Sequence, residues 1–268
     1  MSNTCNQLSV RASSLGELFD CPARWEAKHI RRLRLPRSAA AQLGTAVHAG
    51  TALFDQSRLD GNPLSADECA GAVVDALQKP SEDVDWEDTS AAEVERMALP
   101  LHGLYCREIA PRQDYVAVEA ACESLTFTDI GLTLTGTVDR VRATQDGLGI
   151  ADIKTGKTAV AADGTVKTQG HAAQLAVYEI LAGHAIGRPI DAPAQIIGLQ
   201  VAKTDKGRRA GVGTIQTARD VLLDDGESPG LLRHAANMLH RGDFYGNPRS
   251  QLCNPKYCPA YAGCRWRK

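Results

Sequence analysis

The hydrophobic period along the chain changes from helical to strand-like and back. Behind Ser13 as a cap, Ser14–Phe19 carries apolar residues every three or four positions, as do Ala66–Leu77 and Ala91–Ile109. That spacing predicts amphipathic helices. Asp60-Gly61-Asn62-Pro63 and Lys79-Pro80 break residues 51–110 into separate helices, and Gly44-Thr45-Ala46-Val47-His48 opens another. From Tyr115 the period falls to two. Val116, Val118 and Glu119, then Ser124–Thr128, Leu132–Arg142 and Leu148–Ile153, read as strands. Gly156–Gly170 is polar and loop-like, His171–Leu181 is helical, Ile196–Val201 is a strand, Gly211–Thr217 an edge strand, and Leu231–His240 a final helix. This pattern predicts one α/β domain over 1–268, with residues 49–112 as a helical lobe resting on a sheet.

The two strands around Gln145-Asp146-Gly147 carry the chemistry. Asp-Gly between alternating runs predicts a hairpin. With Asp146-Gly147 as the two-residue turn, Asp139 falls opposite Lys154, while Asp152 and Lys154 share a face because strand side chains alternate. Two carboxylates and an ammonium on one patch suit metal-dependent phosphodiester cleavage. The same spacing is equally that of a surface hairpin with a cross-strand salt bridge. Glu119 offers a further carboxylate, although an exposed strand glutamate is the simpler expectation. His48, one turn from Gly44, is by pattern a structural hydrogen-bonder, and Gln174 and Tyr178 stand one turn apart on one helix face.

Composition adds limits. The 268 residues are 43% hydrophobic and 23% charged with a formal net charge of −2, so net charge gives no hint of nucleic acid. Phosphate contacts would have to come from Lys28–Arg37, Lys203–Arg209 or Arg265–Lys268, each by itself an ordinary solvated face. The acidic run Ser81–Asp88 is expected away from any substrate path. No apolar run approaches a bilayer span and no basic-then-apolar leader begins the chain, which predicts an intracellular, cytoplasmic protein. Of eight cysteines, Cys5, Cys69, Cys106 and Cys122 are scattered as core residues would be. Cys253, Cys258 and Cys264 cluster among Pro, Gly and aromatics, with Cys21 the best fourth partner. Zinc, an iron–sulfur cluster and plain burial all remain open on this spacing.

Taken in order, Cys21-Pro22, Gly44–His48, Gly136-Thr137-Val138-Asp139-Arg140, Asp152-Ile153-Lys154-Thr155-Gly156, Gln174 to Tyr178 and the three-cysteine tail resemble the RecB-like branch of the PD-(D/E)xK nucleases. The resemblance spans residues 13–264 and is nearest to the iron–sulfur members: CRISPR-associated RecB-like exonucleases, AddB-type nuclease domains and related phage exonucleases. It implies a restriction-endonuclease-like core, a mixed central sheet flanked by helices. Asp139, Asp152 and His48 would be ligands to Mg²⁺ or Mn²⁺, Lys154 the catalytic lysine, and Gln174 and Tyr178 the accessory pair at the scissile phosphate. Cys21, Cys253, Cys258 and Cys264 would hold a [4Fe–4S] cluster joining regions 13–30 and 250–268. The gap between Cys253 and Cys258 is wider than the family's usual two residues, and Asp152 stands where many relatives have Glu. The implied activity is exonucleolytic hydrolysis of DNA with free ends, single-stranded by expectation, in repair, recombination, phage or CRISPR settings. A helicase or recombination partner and a homo-oligomer fit the same resemblance, and a membrane does not. The other class of reading is a DNA-binding adaptor in a larger recombination or CRISPR-adaptation complex with little activity of its own.

Overall fold

The computed structural model describes residues 8–216 and 218–267. Strand β1 (Leu8–Arg11) leads through a 3₁₀ turn into α1 (Leu15–Asp20) and α2 (Pro22–His29). The short strands β2 (Arg37–Ser38) and β3 (Val84–Asp85) pair in parallel. Between them lie α3 (Ala39–Leu59) and α4 (Ala66–Gln78), and α5 (Ala91–Leu104) follows, running on as a π turn to Ile109. Helix α3 begins five residues before Gly44, because the Ser38 side chain accepts from the Ala41 amide at 3.2 Å and caps it there. Similarly, α1 starts after Ser14 and not after Ser13.

The main sheet comprises β1, β4 (Tyr115–Phe127), β5 (Leu132–Thr144), β6 (Gly147–Gly156), β7 (Ala194–Gln200) and β8 (Arg209–Ile215). It is mixed: β1–β5 and β6–β7 are parallel, and the remaining pairs antiparallel. Helices α6 (Ala172–Ile186) and α7 (Leu231–Arg241) complete the chain's regular elements. Thr217, at the end of the expected edge strand, Cys5 and Lys268 lie outside the described residues.

Each face of the sheet carries its own core. Leu148 and Ile150 of β6 join Leu15, Leu18, Leu134, Val138, Leu175 and Leu181 under α1 and α6. Ala151 and Ile153 join Val47, Val73, Leu101 and Tyr105 under α3–α5. The sheet's alternation thus divides the two cores, and β6 is buried from Leu148 to Ile153 without a break. Cys69, Cys106 and Cys122 are buried in these layers. Among the described residues no helix is long and apolar enough to cross a membrane.

The acidic run Ser81–Asp88 is tied to basic residues. Through the β2–β3 pairing, Glu82 reaches Arg37 at 2.8 Å, and Glu87 reaches Lys256 at 2.8 Å. Lys28 and Arg31 are likewise engaged, with Glu17 and Glu26.

Gly50 marks the closest approach of α3 to the other lobe helices. A Cβ there would collide with Val73 Cγ2 and sit 2.9 Å from His102 Nδ1. Helix propensity favours alanine by about 1 kcal/mol, but overpacking against the stiff valine costs about 1–3 kcal/mol. Gly50→Ala is therefore expected to lower the thermal midpoint by several degrees; a rise would show that the lobe gives way freely.

Candidate metal centre at a strand fork

Two strands share one edge of β5. β4 runs along the other edge, from Tyr115↔Arg142 to Phe127↔Leu132. On the shared edge β1 takes Leu132–Thr135 and β6 takes Arg140–Thr144. Gly136–Asp139 lie between, where β6 leaves β5 and pairs with β7 from Ala151 onward. Beyond Arg140↔Ala151 a continued ladder would pair Val138 with Ile153. Instead the Asp139 Oδ2 accepts the Ile153 N–H at 2.8 Å. A side chain stands in for a backbone carbonyl at the fork.

The hairpin register differs from the expectation by two residues. Thr144↔Gly147 closes the hairpin, so the turn is Gln145-Asp146, and Asp139 falls opposite Asp152 instead of Lys154. Thr144 sets this turn: its Oγ1 accepts from the Asp146 amide at 3.1 Å and donates to the Gly147 carbonyl at 2.9 Å. Gly147 supplies φ +119°, a value that suits glycine. Because the slip is even, Asp139 keeps its face.

Helix α3 lays a stripe of Gly44, His48, Thr51 and Asp55 against the fork. A Cβ on Gly44 would lie 3.0 Å from Thr155 Oγ1, so the bare glycine lets the helix sit close to β6. His48 Nε2 is 2.8 Å from the Ile153 carbonyl. A carbonyl only accepts, so Nε2 holds a proton, and Nδ1 faces Asp139 Oδ2 at 3.5 Å. The third member is Glu119, which the sequence pattern favoured as a plain surface residue. Its backbone is left-handed, φ +47°, between the pairs Val118↔Arg140 and Ala120↔Val138. That conformation costs a non-glycine residue about 1–2 kcal/mol. Ligand atoms of His48, Glu119 and Asp139 lie within 4.8 Å of one another.

Asp152 stands beside this triad and not within it. It is 2% exposed, with Oδ2 2.7 Å from Lys154 Nζ, close in distance though off the angle of a hydrogen bond. Burial, then the Asp139 charge, push its carboxyl up to about 6 against the pull of Lys154. Burial and Asp139 push Glu119 upward too. On α6, Gln174 Nε2 donates to Tyr178 Oη at 3.1 Å, and burial raises the phenol, with Asp152 and Asp139 near enough to add to it. A Cβ on Gly136 would lie 2.9 Å from Leu181 Cδ1 and 3.3 Å from Tyr178 Cε1, so the glycine admits α6 over the fork.

Cys21, Cys253, Cys258 and Cys264, all free thiols, line one cavity of about 410 Å³. The Asn247 amide donates to Cys21 Sγ at 3.4 Å, and burial first, then Cys21 and Cys264, push the Cys258 thiol up. Direct contacts close the surroundings: Ser250 Oγ donates to Asp20 Oδ2 at 2.6 Å, and Trp25 stacks on Phe244.

A family model of the PD-(D/E)XK nuclease superfamily matches residues 9–265. The chain belongs to that superfamily. The mixed sheet with helices on both faces is the arrangement expected of its restriction-endonuclease-like core. Among solved structures, this nuclease-superfamily chain is similar to a protein from Eubacterium rectale described as a "Putative exonuclease". The TM-score is 0.56 at 14% identity, over 100% of this chain and 92% of the other. At that identity the likeness speaks for the fold. Among curated proteins none matches.

The raised Asp152 carboxyl has a consequence for stability. Its contribution is complete below the unfolded carboxylate value and is lost as pH rises through about 6. At pH 8, buried charge at this position costs stability. Asp152→Asn should raise the midpoint of metal-free protein by roughly 3–6 °C at pH 8 and by much less at pH 5. An equal change at both values would place the ionisation elsewhere.

Proposed function

We propose that the protein is a metal-dependent DNA exonuclease that hydrolyses phosphodiester bonds from single-stranded ends, in the cytoplasm, with a structural [4Fe–4S] cluster. The observation that carries this reading is the gathering of His48, Glu119 and Asp139 beside the Asp152–Lys154 pair, in a chain of the nuclease superfamily. The donor set fits Mg²⁺ or Mn²⁺: hard carboxylate oxygens suit both, and the imidazole favours Mn²⁺. Charge fits as well. Glu119, Asp139 and Asp152 face one Lys154, while Asp55 and Arg140 pair with each other, leaving two negative charges for a divalent cation.

When bound, such an ion stabilises charge on the phosphate oxygens and lowers the pKa of a bound water. The chain's own residues do the rest. His48 is held through Nε2 by the Ile153 carbonyl, so Nδ1 faces Asp139. Asp139, anchored through Oδ2 on the Ile153 amide, would hold the ion with His48 and Glu119. Asp152 would add its carboxylate from beside them, and the Lys154 ammonium next to it would donate to the phosphate where negative charge develops. Gln174 and Tyr178 act as a coupled pair toward the nucleic-acid backbone.

Cys21, Cys253, Cys258 and Cys264 would hold the cluster. Tetrahedral zinc with Zn–S bonds near 2.3 Å would draw its sulfurs to roughly 3.8 Å. The cavity that the four cysteines line, about 410 Å³, has room for the larger group.

Anaerobically purified protein should be brown, absorb at about 400 nm, and shorten end-labelled single-stranded DNA with Mg²⁺ or Mn²⁺ but not with EDTA. Asp139→Ala should abolish cleavage, about 10³-fold or more if the charge stabilisation assigned to the ion is lost. Metal uptake by the metal-free protein should weaken as pH drops through about 6, because a proton then competes for the Asp152 carboxylate. Binding without cutting under either metal would replace the nuclease with a DNA-binding adaptor. Cys258→Ala should lose colour, stability and DNA binding together; loss of turnover alone would give the cysteine site a role in the cleavage step.

A further inference from the structure

Arg140 is the largest fully buried side chain among the described residues, and four of its five donors are directed. Nε donates to Asp55 Oδ2 at 2.7 Å and Nη2 to Thr51 Oγ1 at 3.3 Å, both on α3. Nη1 donates to the Asp139 carbonyl at 2.7 Å and to Glu119 Oε1 at 3.3 Å. One guanidinium nitrogen therefore touches two of the three gathered ligand residues, on two strands. Asp55 is itself fixed from the far side. The Tyr105 hydroxyl donates to the same Oδ2 at 2.5 Å, and Tyr105 and Tyr115 share a hydrogen bond of 3.0 Å.

A buried ion pair is a poor way to gain stability, since desolvating both charges offsets most of their attraction. A methionine with a leucine would fill this space at less cost. What the pair supplies is geometry: a planar fork locked to α3 at one end and to the ligand residues at the other. Glu119 has a strained left-handed backbone, which persists only where the surroundings hold it, and Arg140 is one of its contacts.

We propose that Arg140 is a positioning residue for the metal ligands Glu119 and Asp139, and that Asp55 with Tyr105 positions Arg140 from the helical lobe. The inference rests on the metal-site reading above and does not require the nuclease activity. Outer partners of metal ligands typically change affinity 10–100-fold when removed.

The test is Mn²⁺ affinity of the metal-stripped protein, measured by electron paramagnetic resonance of free Mn²⁺, beside single-strand DNA binding in EDTA. Asp55→Asn keeps an acceptor for Arg140 and Tyr105 but removes the charge, and Arg140→Lys keeps the charge but loses the fork. Both should weaken Mn²⁺ binding at least tenfold, Arg140→Lys more, with DNA binding in EDTA unchanged. Tyr105→Phe, which retains the ring, should weaken it by a smaller factor. Folded variants with wild-type Mn²⁺ affinity overturn the proposal. If Arg140→Lys does not fold, Asp55→Asn and Tyr105→Phe decide it. Wild-type protein that takes up no Mn²⁺ removes the metal site and this role with it. Protein that binds Mn²⁺ but never cuts DNA removes the nuclease reading alone.

Discussion

Both backbone groups of Ile153 are claimed by side chains of the candidate metal centre. Its N–H goes to Asp139 and its carbonyl takes His48. They are free to do so because β6 leaves β5 at that residue, and a continued ladder would have used both. A buried amide without a partner costs about 1–3 kcal/mol, so the fork would be unstable if Asp139 were simply removed. The same two hydrogen bonds orient the candidate ligands: one fixes a carboxylate oxygen of Asp139, the other the ring of His48. Folding and site geometry are thus one set of interactions, centred on the residue between Asp152 and Lys154.

Much of this was legible because it is local. The change of period located both classes of element, and the D-x-K alternation put Asp152 and Lys154 in contact. What failed depended on side chains overriding common turn or cap signals. Asp146-Gly147 carries the usual hairpin signature, yet Thr144 brackets the turn one residue earlier and Gly147 begins the strand. Ser38 starts α3 across an alanine run with no periodicity to read. Glu119 was seen but set aside, because a reversed φ in the middle of a strand leaves no mark in composition. The Arg140–Asp55 contact spans 85 residues of sequence. Nothing in either segment alone announces it, since Arg140 stands among threonines, Asp139 and Arg142 in a strand of mixed polarity.

Charge was the least readable property. The basic stretch Lys28–Arg37 was a candidate for phosphate contacts, and the acidic run Ser81–Asp88 was expected away from any substrate path. In the fold Arg37 meets Glu82 beside the β2–β3 pairing and Glu87 meets Lys256 of the tail, which neutralises part of the cationic surface. Recognition of a polyanion by this molecule would therefore rest on its centre and on short-range contacts more than on long-range steering.

The contacts around the cysteine cavity link positions 226 to 230 residues apart, Asp20 and Cys21 with Asn247 and Ser250. The ligand fork, by contrast, draws on His48, Glu119, Asp139, Asp152 and the α6 pair ending at Tyr178. During synthesis the fork's residues have all emerged well before the segment that walls the cavity. Domains fold as the chain emerges, N-terminal parts first, so the fork can take shape on the ribosome while the cysteine cavity is still open to solvent. In the order of its making, the protein has its fork before the segment that walls its cavity.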